Sequence, residues 1–198
     1  MAMPGTCGEL YFRNLHMVPK SYFGVELLAG AEVNILNFDG TMDMPDGLMK
    51  KMDIIIASMH MPCIKPGSRE QNTQACIKAL QNPWVNIIGH PDDGRYPVDM
   101  EALVQAASEY GKVLELNNHS LEPSCSRRNT EENDRLMLKY CKKYEVPVTV
   151  GSDSHVDVEV GAHDMAYTLL DEMEFPERLV LNTDPELLKK YVNRYKLK

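Results

Sequence analysis

A chain of 198 residues with 43% hydrophobic and 25% charged residues suits one soluble domain with room for a substantial core. A formal net charge of −8 argues against a nucleic-acid partner, since polyphosphate binding needs a basic face. No apolar run approaches the roughly 18 residues that span a bilayer. The start, MAMPGTCGEL, has neither the basic segment nor the apolar stretch of a signal peptide. Five scattered cysteines, Cys7, Cys63, Cys76, Cys125 and Cys141, never form a C-x-x-C pair. That is the pattern of reduced thiols, so a cytoplasmic location is expected.

In chain order, residues 3–24 show no clean period and read as a loop with a helical turn. "LLAGAEVNIL" (27–36), "DIIIAS" (53–58), "WVNIIG" (84–89), "KVLELN" (112–117) and "PVTVGS" (147–152) are nearly continuous apolar runs, as strands buried on both faces require. "RLVLN" (178–182) is a weak last member of the set. Between the runs lie segments of helical period. Residues 71–81 predict a short helix. The segment 99–111 places Leu103, Val104, Ala107 and Tyr110 on one stripe, between Asp99 as N-cap and Gly111 just past the end. "TEENDRLMLKYCKKY" starts at Thr130 as a cap, with Glu131 and Glu132 early and Lys142 and Lys143 late, complementing the helix dipole. Asp184 and Pro185 open a last helix. The alternation predicts a single parallel α/β domain over residues 1–198, open-sheet or barrel.

The chemistry sits where the strands end. The first run carries Glu32, the second is followed by His60, the third by His90, and the last by Asp153 and His155. Parallel strands converge their carboxyl ends on one rim, where α/β active sites are built. Imidazole and carboxylate together suit zinc, manganese or iron. Asp153 and His155 are two apart, so in an extended segment they point the same way. Each of these residues alone is more often an ordinary loop or edge residue; their joint occurrence at successive strand ends carries the metal-site expectation. His119, among turn formers, is expected at the surface or behind the ligands. His163 is expected near a helix start, and His16 in the irregular N-terminal part.

The stretches "GAEVNILNFDGTMD", "IIIASMH", "NTQACIKAL", "IIGHP", "LELNN", "CSRRNTEEN" and "GSDSH" together resemble the polymerase and histidinol phosphatase (PHP) family, in particular its small bacterial phosphatase subgroup. The resemblance implies a distorted (β/α)7 TIM-like barrel, up to three zinc or manganese ions, and phosphate-ester hydrolysis. It implies that Glu32 bridges two metals, that His60 and His90 complete the second site, that Asp153 is a ligand of the first and His155 of the third. Glu32 and Asp153 would be catalytic, and Arg127 would meet the substrate phosphate. The family's "H-x-H" and "DHG"-type motifs have no counterpart here, so the expected fold is an incomplete barrel lacking its first two strands. On that basis one well-occupied metal, impaired hydrolysis of a small phosphomonoester by metal-bound hydroxide, and self-association or assembly with a separate N-terminal piece are expected. The alternatives are a non-catalytic metal-binding remnant or interaction module, and an amidohydrolase-type barrel enzyme acting on C–N bonds. The last usually supplies a lysine ligand midway, and none follows a matching strand end.

Overall fold

The apolar runs become neighbours in the order in which the chain presents them. The computed structural model describes residues 2–5 and 7–196. The irregular N-terminal part holds α1 (Glu9–Asn14) and a small antiparallel hairpin of β1 (Ser21–Tyr22) and β2 (Val25–Glu26). Then follow β3 (Gly30–Asn34), β4 (Ile54–Ser58), β5 (Ile87–Ile88), β6 (Val113–Asn117) and β7 (Val148–Gly151). These five strands form one parallel sheet in the order β3-β4-β5-β6-β7. Among the described residues the pairing stops at β3 and β7, so it does not close a ring.

The expected last strand, 178–182, does not form. Its residues make 3-10 turns at Glu177–Leu179 and Leu181–Thr183, with a single parallel bridge from Val180 to Val148. The reason lies in one side chain. Asn182 accepts the Val150 N–H through Oδ1 at 2.7 Å and donates to the Val150 carbonyl through Nδ2 at 2.9 Å. An amide side chain thus takes the place of a strand backbone beside β7.

The short helix α2 (Asp46–Met49) precedes β4. The longer helices α3 (Arg69–Gln81), α4 (Met100–Tyr110) and α5 (Thr130–Tyr144) connect successive strands, and α6 (Asp164–Glu172) follows β7. Their ends follow local chemistry. Ser68 and Gln71 form a capping box at the start of α3. The Asp99 side chain accepts from the Ala102 N–H, and Gly111 ends α4 in the left-handed conformation with φ +61°. At α5 the cap position belongs to Asn129, which makes no side-chain cap bond, and Thr130 is the first helical residue. The last expected helix divides into α7 (Pro185–Lys189) and α8 (Asn193–Lys196), with Asp184 capping the first piece.

Strand alternation sends Ile55, Ala57, Leu114, Leu116, Val148 and Val150 into one core with Leu80, Leu103, Val104, Met137 and Leu138 of the helices. On the opposite face Ile54, Ile56, Ile87 and Val113 pack against Leu181, Leu187, Leu188 and Tyr191 of the C-terminal segment. That segment is pinned at the amino ends of the strands. Asn193 bonds Asn86 and the Trp84 carbonyl, and Arg194 pairs with Asp53. The amino ends are therefore closed by structure, and the carboxyl ends carry the polar groups.

Candidate metal centre at the carboxyl ends of the strands

Glu32 on β3, His60 just after β4 and His90 just after β5 meet at one point. His90 Nε2 lies 3.2 Å from Glu32 Oε1 and 3.2 Å from His60 Nε2, and His60 Nε2 lies 3.4 Å from the same Glu32 oxygen. A tetrahedral ion with bonds of 2.0–2.1 Å spaces its donors about 3.3–3.4 Å apart, so this triangle has the right size for one ion. The donors also have the right chemistry, two imidazole nitrogens and a carboxylate oxygen. Among the described residues this is the one group of three or more such side chains within ligating distance of each other.

The two histidines are held by different means. Asn34, also on β3, accepts from His60 Nδ1 at 2.8 Å through its side-chain oxygen. That bond keeps a proton on Nδ1 and turns Nε2, the nitrogen an ion would take, toward Glu32. His90 is fixed through its backbone, whose N–H donates to Glu115 Oε2 at 2.8 Å. Its φ of +30° is unusual for a non-glycine residue. The preceding Gly89 permits the close approach of β4, because a Cβ there would lie 2.3 Å from Ser58 Oγ.

The charges are consistent with this packing. Burial opposes ionisation of Glu32, but the bonds from His60 and His90 outweigh it and hold the carboxyl well below its usual range. Burial likewise opposes the charged form of His90, yet its bond to Glu32 raises its pKa on balance. Behind them Glu115, buried in β6, is pushed up by desolvation. Asp134 on α5 is pushed well up, by desolvation and then by its neighbour Asp92.

Asp153 and His155 border the same open cavity of about 290 Å³ as Glu32, His60, Asn34 and Arg127. Asp153 accepts from Arg127 at 2.9 Å and from Asn117 Nδ2 at 3.2 Å. The expected extended geometry does not hold, because Asp153 has φ +51°. His155 turns outward, its side chain 79% exposed, with Nδ1 on the Asp153 carbonyl oxygen at 2.9 Å. Arg127 is nearly buried and also reaches Asn117 Oδ1 and Ser120 Oγ. The remaining histidines lie elsewhere. His119 faces Glu122, His163 stacks edge-on against Tyr167 at the start of α6, and His16 bonds the Arg13 carbonyl at the surface.

Three contributors are polar residues that the pattern of histidines and carboxylates at strand ends does not single out: Asn34, Glu115 and Asn117. A signal was present, because each is a polar residue inside an otherwise apolar run, in "AEVN" and "VLELN". A charge in the middle of a buried strand needs a partner, and here the partner belongs to the site.

No protein-family profile matches this chain. A probable phosphatase of Thermoanaerobacter sp. (strain X514) is 45% identical over 197 residues, covering 99% of this chain and 80% of that protein. A probable phosphatase of Acetivibrio thermocellus is 42% identical over 195 residues, covering 98% of this chain and 80% of that protein. Among solved structures, a chain from the cryo-EM structure of archaeal ribonuclease P with mature tRNA aligns with a TM-score of 0.51 and 19% identity, over 88% of this chain and 80% of that chain. That likeness is one of fold alone. The sequence similarity runs nearly end to end, and on it the chain belongs to the family of these probable phosphatases.

Proposed function

We propose that this protein is a metal-dependent phosphoesterase of the PHP type that hydrolyses a phosphate monoester in the cytoplasm. The observation that carries the reading is the donor triangle of Glu32, His60 and His90 opening onto a cavity bordered by Arg127. A divalent ion there, zinc or manganese, would acidify a coordinated water and offset charge on the phosphoryl oxygens. Glu32, His60 and His90 would hold the ion. Arg127 offers a planar fork of N–H donors suited to phosphoryl oxygens. Asp153 fixes that guanidinium at the cavity wall, and with His155 it supplies donors for further ions that the described residues leave incompletely ligated.

One complete donor group implies one tightly held ion and turnover slower than a fully ligated multi-metal site would give. The same observation favours a second reading, a metal-binding module that keeps the fold without turnover. Hydrolysis of p-nitrophenyl phosphate and a panel of natural phosphomonoesters, before and after chelation and with zinc or manganese restored, separates the two. The phosphoesterase reading expects activity that chelation abolishes and added metal returns. Metal bound at Glu32, His60 and His90 with no turnover on any ester leaves the second reading, and hydrolysis indifferent to chelation excludes both.

A further inference from the structure

Glu115 is a carboxylate in the middle of a buried strand, only 7% exposed, and its bond to the donor triangle goes to the His90 backbone N–H, not to a ligating atom. The surrounding backbone is shaped to receive it. A Cβ at Gly151 would lie 2.1 Å from Glu115 Oε1, and one at Gly89 3.4 Å from Oε2. Gly89 follows β5 immediately before His90, and Gly151 ends β7 two residues ahead of Asp153, so the two flank β6 on either side. A side chain at Gly151 would force the carboxylate to shift.

In that slot Oε2 accepts the His90 N–H at 2.8 Å and Asn117 Nδ2 at 3.3 Å. The same Asn117 nitrogen reaches Asp153 Oδ2 at 3.2 Å. His90 and Asp153 are both non-glycine residues at positive φ, +30° and +51°. Bonds to the Glu115 carboxylate reach the first residue directly, through the His90 N–H, and the second by way of Asn117.

We propose that Glu115 is a positioning residue: by holding the His90 backbone N–H, and Asp153 through Asn117, it sets the geometry in which these side chains present themselves to a metal ion. The inference rests on the metal-centre reading above. It explains why an acidic residue stands between two glycines at the carboxyl ends of the strands: the strand ends are tied across β6 rather than each by its own loop.

The test uses cobalt(II) binding to the full chain, followed by calorimetry and by visible absorption, with thermal melts of every variant. The wild type and His90→Ala test the metal site itself. Binding by the first that the second abolishes upholds that reading whatever happens at Glu115. Glu115→Ala removes the acceptor, and Gly151→Ala displaces it without changing any ligand. Both are expected to weaken cobalt affinity about 10–100-fold, the usual cost of losing a group that orients a ligand, and to alter the cobalt spectrum. Glu115→Gln keeps an acceptor oxygen and is expected to restore affinity to within about threefold of wild type. Wild-type affinity and spectrum in Glu115→Ala would overturn the proposal, and so would equal losses in Glu115→Ala and Glu115→Gln. Should Glu115→Ala not fold, the comparison of Gly151→Ala and Glu115→Gln decides alone: an unchanged spectrum in the first rejects the role, and a changed one beside a wild-type spectrum in the second supports it.

Discussion

Asn34 and His60 are joined by a 2.8 Å bond from ring Nδ1 to the amide oxygen, and that bond decides which imidazole nitrogen faces Glu32. A ring freed from it can rotate or change tautomer, and either change takes Nε2 out of the donor triangle. Asn34→Ala is therefore expected to lower zinc affinity by about 10–100-fold. The Asn34 N–H remains on Asp43, so β3 should persist. Isothermal titration with zinc checks this; unchanged affinity would show that packing alone orients His60.

Arg127 spends its donors on Asp153, Asn117 and Ser120, and it still borders the cavity. Removing a charge-assisted donor from a bound phosphoryl group costs about 1.5–3 kcal/mol, equivalent to roughly 10–150-fold in kcat/KM. Arg127→Ala is expected to show that loss on a phosphomonoester substrate. Arg127→Lys should recover little of it, because an ammonium has no planar fork to share between Asp153 and substrate. Full recovery by lysine would mean that only the positive charge matters.

Much of this architecture is written in local patterns. The five strands fall inside or beside the apolar runs, and Asp99, Gly111 and Asp184 bound helices as expected, whereas Ser68 opens α3 ahead of the expected start at 71 and the cap expected at Thr130 falls to Asn129. Glu32, His60 and His90 meet because parallel strands share a rim, a rule that needs no knowledge of distant contacts. What the sequence concealed depends on tertiary geometry. Nothing local says that Asn182 would bond β7 through its side chain instead of forming a strand. Nor does "SDSH" reveal that a positive φ at Asp153 would turn His155 outward. The tie from Glu115 to His90 spans 25 residues, and its local trace is only an unexplained charge in an apolar strand.

The described N-terminal part leaves several apolar side chains in solvent, among them Phe23 at 90% and Met17 at 75% exposure. Strand β3 also has no strand on its outer side among the described residues. A strand edge without a neighbouring strand and exposed apolar side chains each invite pairing with another chain. Concentration-dependent association is expected in sedimentation or light scattering. Phe23→Glu, at an exposed side chain whose ring meets that of the neighbouring Tyr22, should weaken it with little change in melting temperature. A clean monomer at high concentration would count against this expectation.

At the opposite end of the sheet, Asp53 gathers Arg194, Lys20 and the Ala29 N–H around one carboxylate. Burial raises its pKa, but Arg194 and the other donors outweigh burial and hold it below the ordinary 3.8. The sign follows. A carboxylate with a depressed folded pKa stabilises fully above its unfolded value, and that contribution is lost as pH falls through the folded pKa. Asp53 and Arg194 are both about nine-tenths buried, so Asp53→Asn leaves a guanidinium without its main counter-charge. The expected loss is about 3 kcal/mol at pH 7. Urea unfolding of wild type and variant should show that gap unchanged down to about pH 5 and narrowing once the pH drops below about 4. A gap of the same size at pH 3 would mean that the carboxylate's charge contributes nothing, and that hydrogen bonding alone anchors the C-terminal segment beneath the sheet.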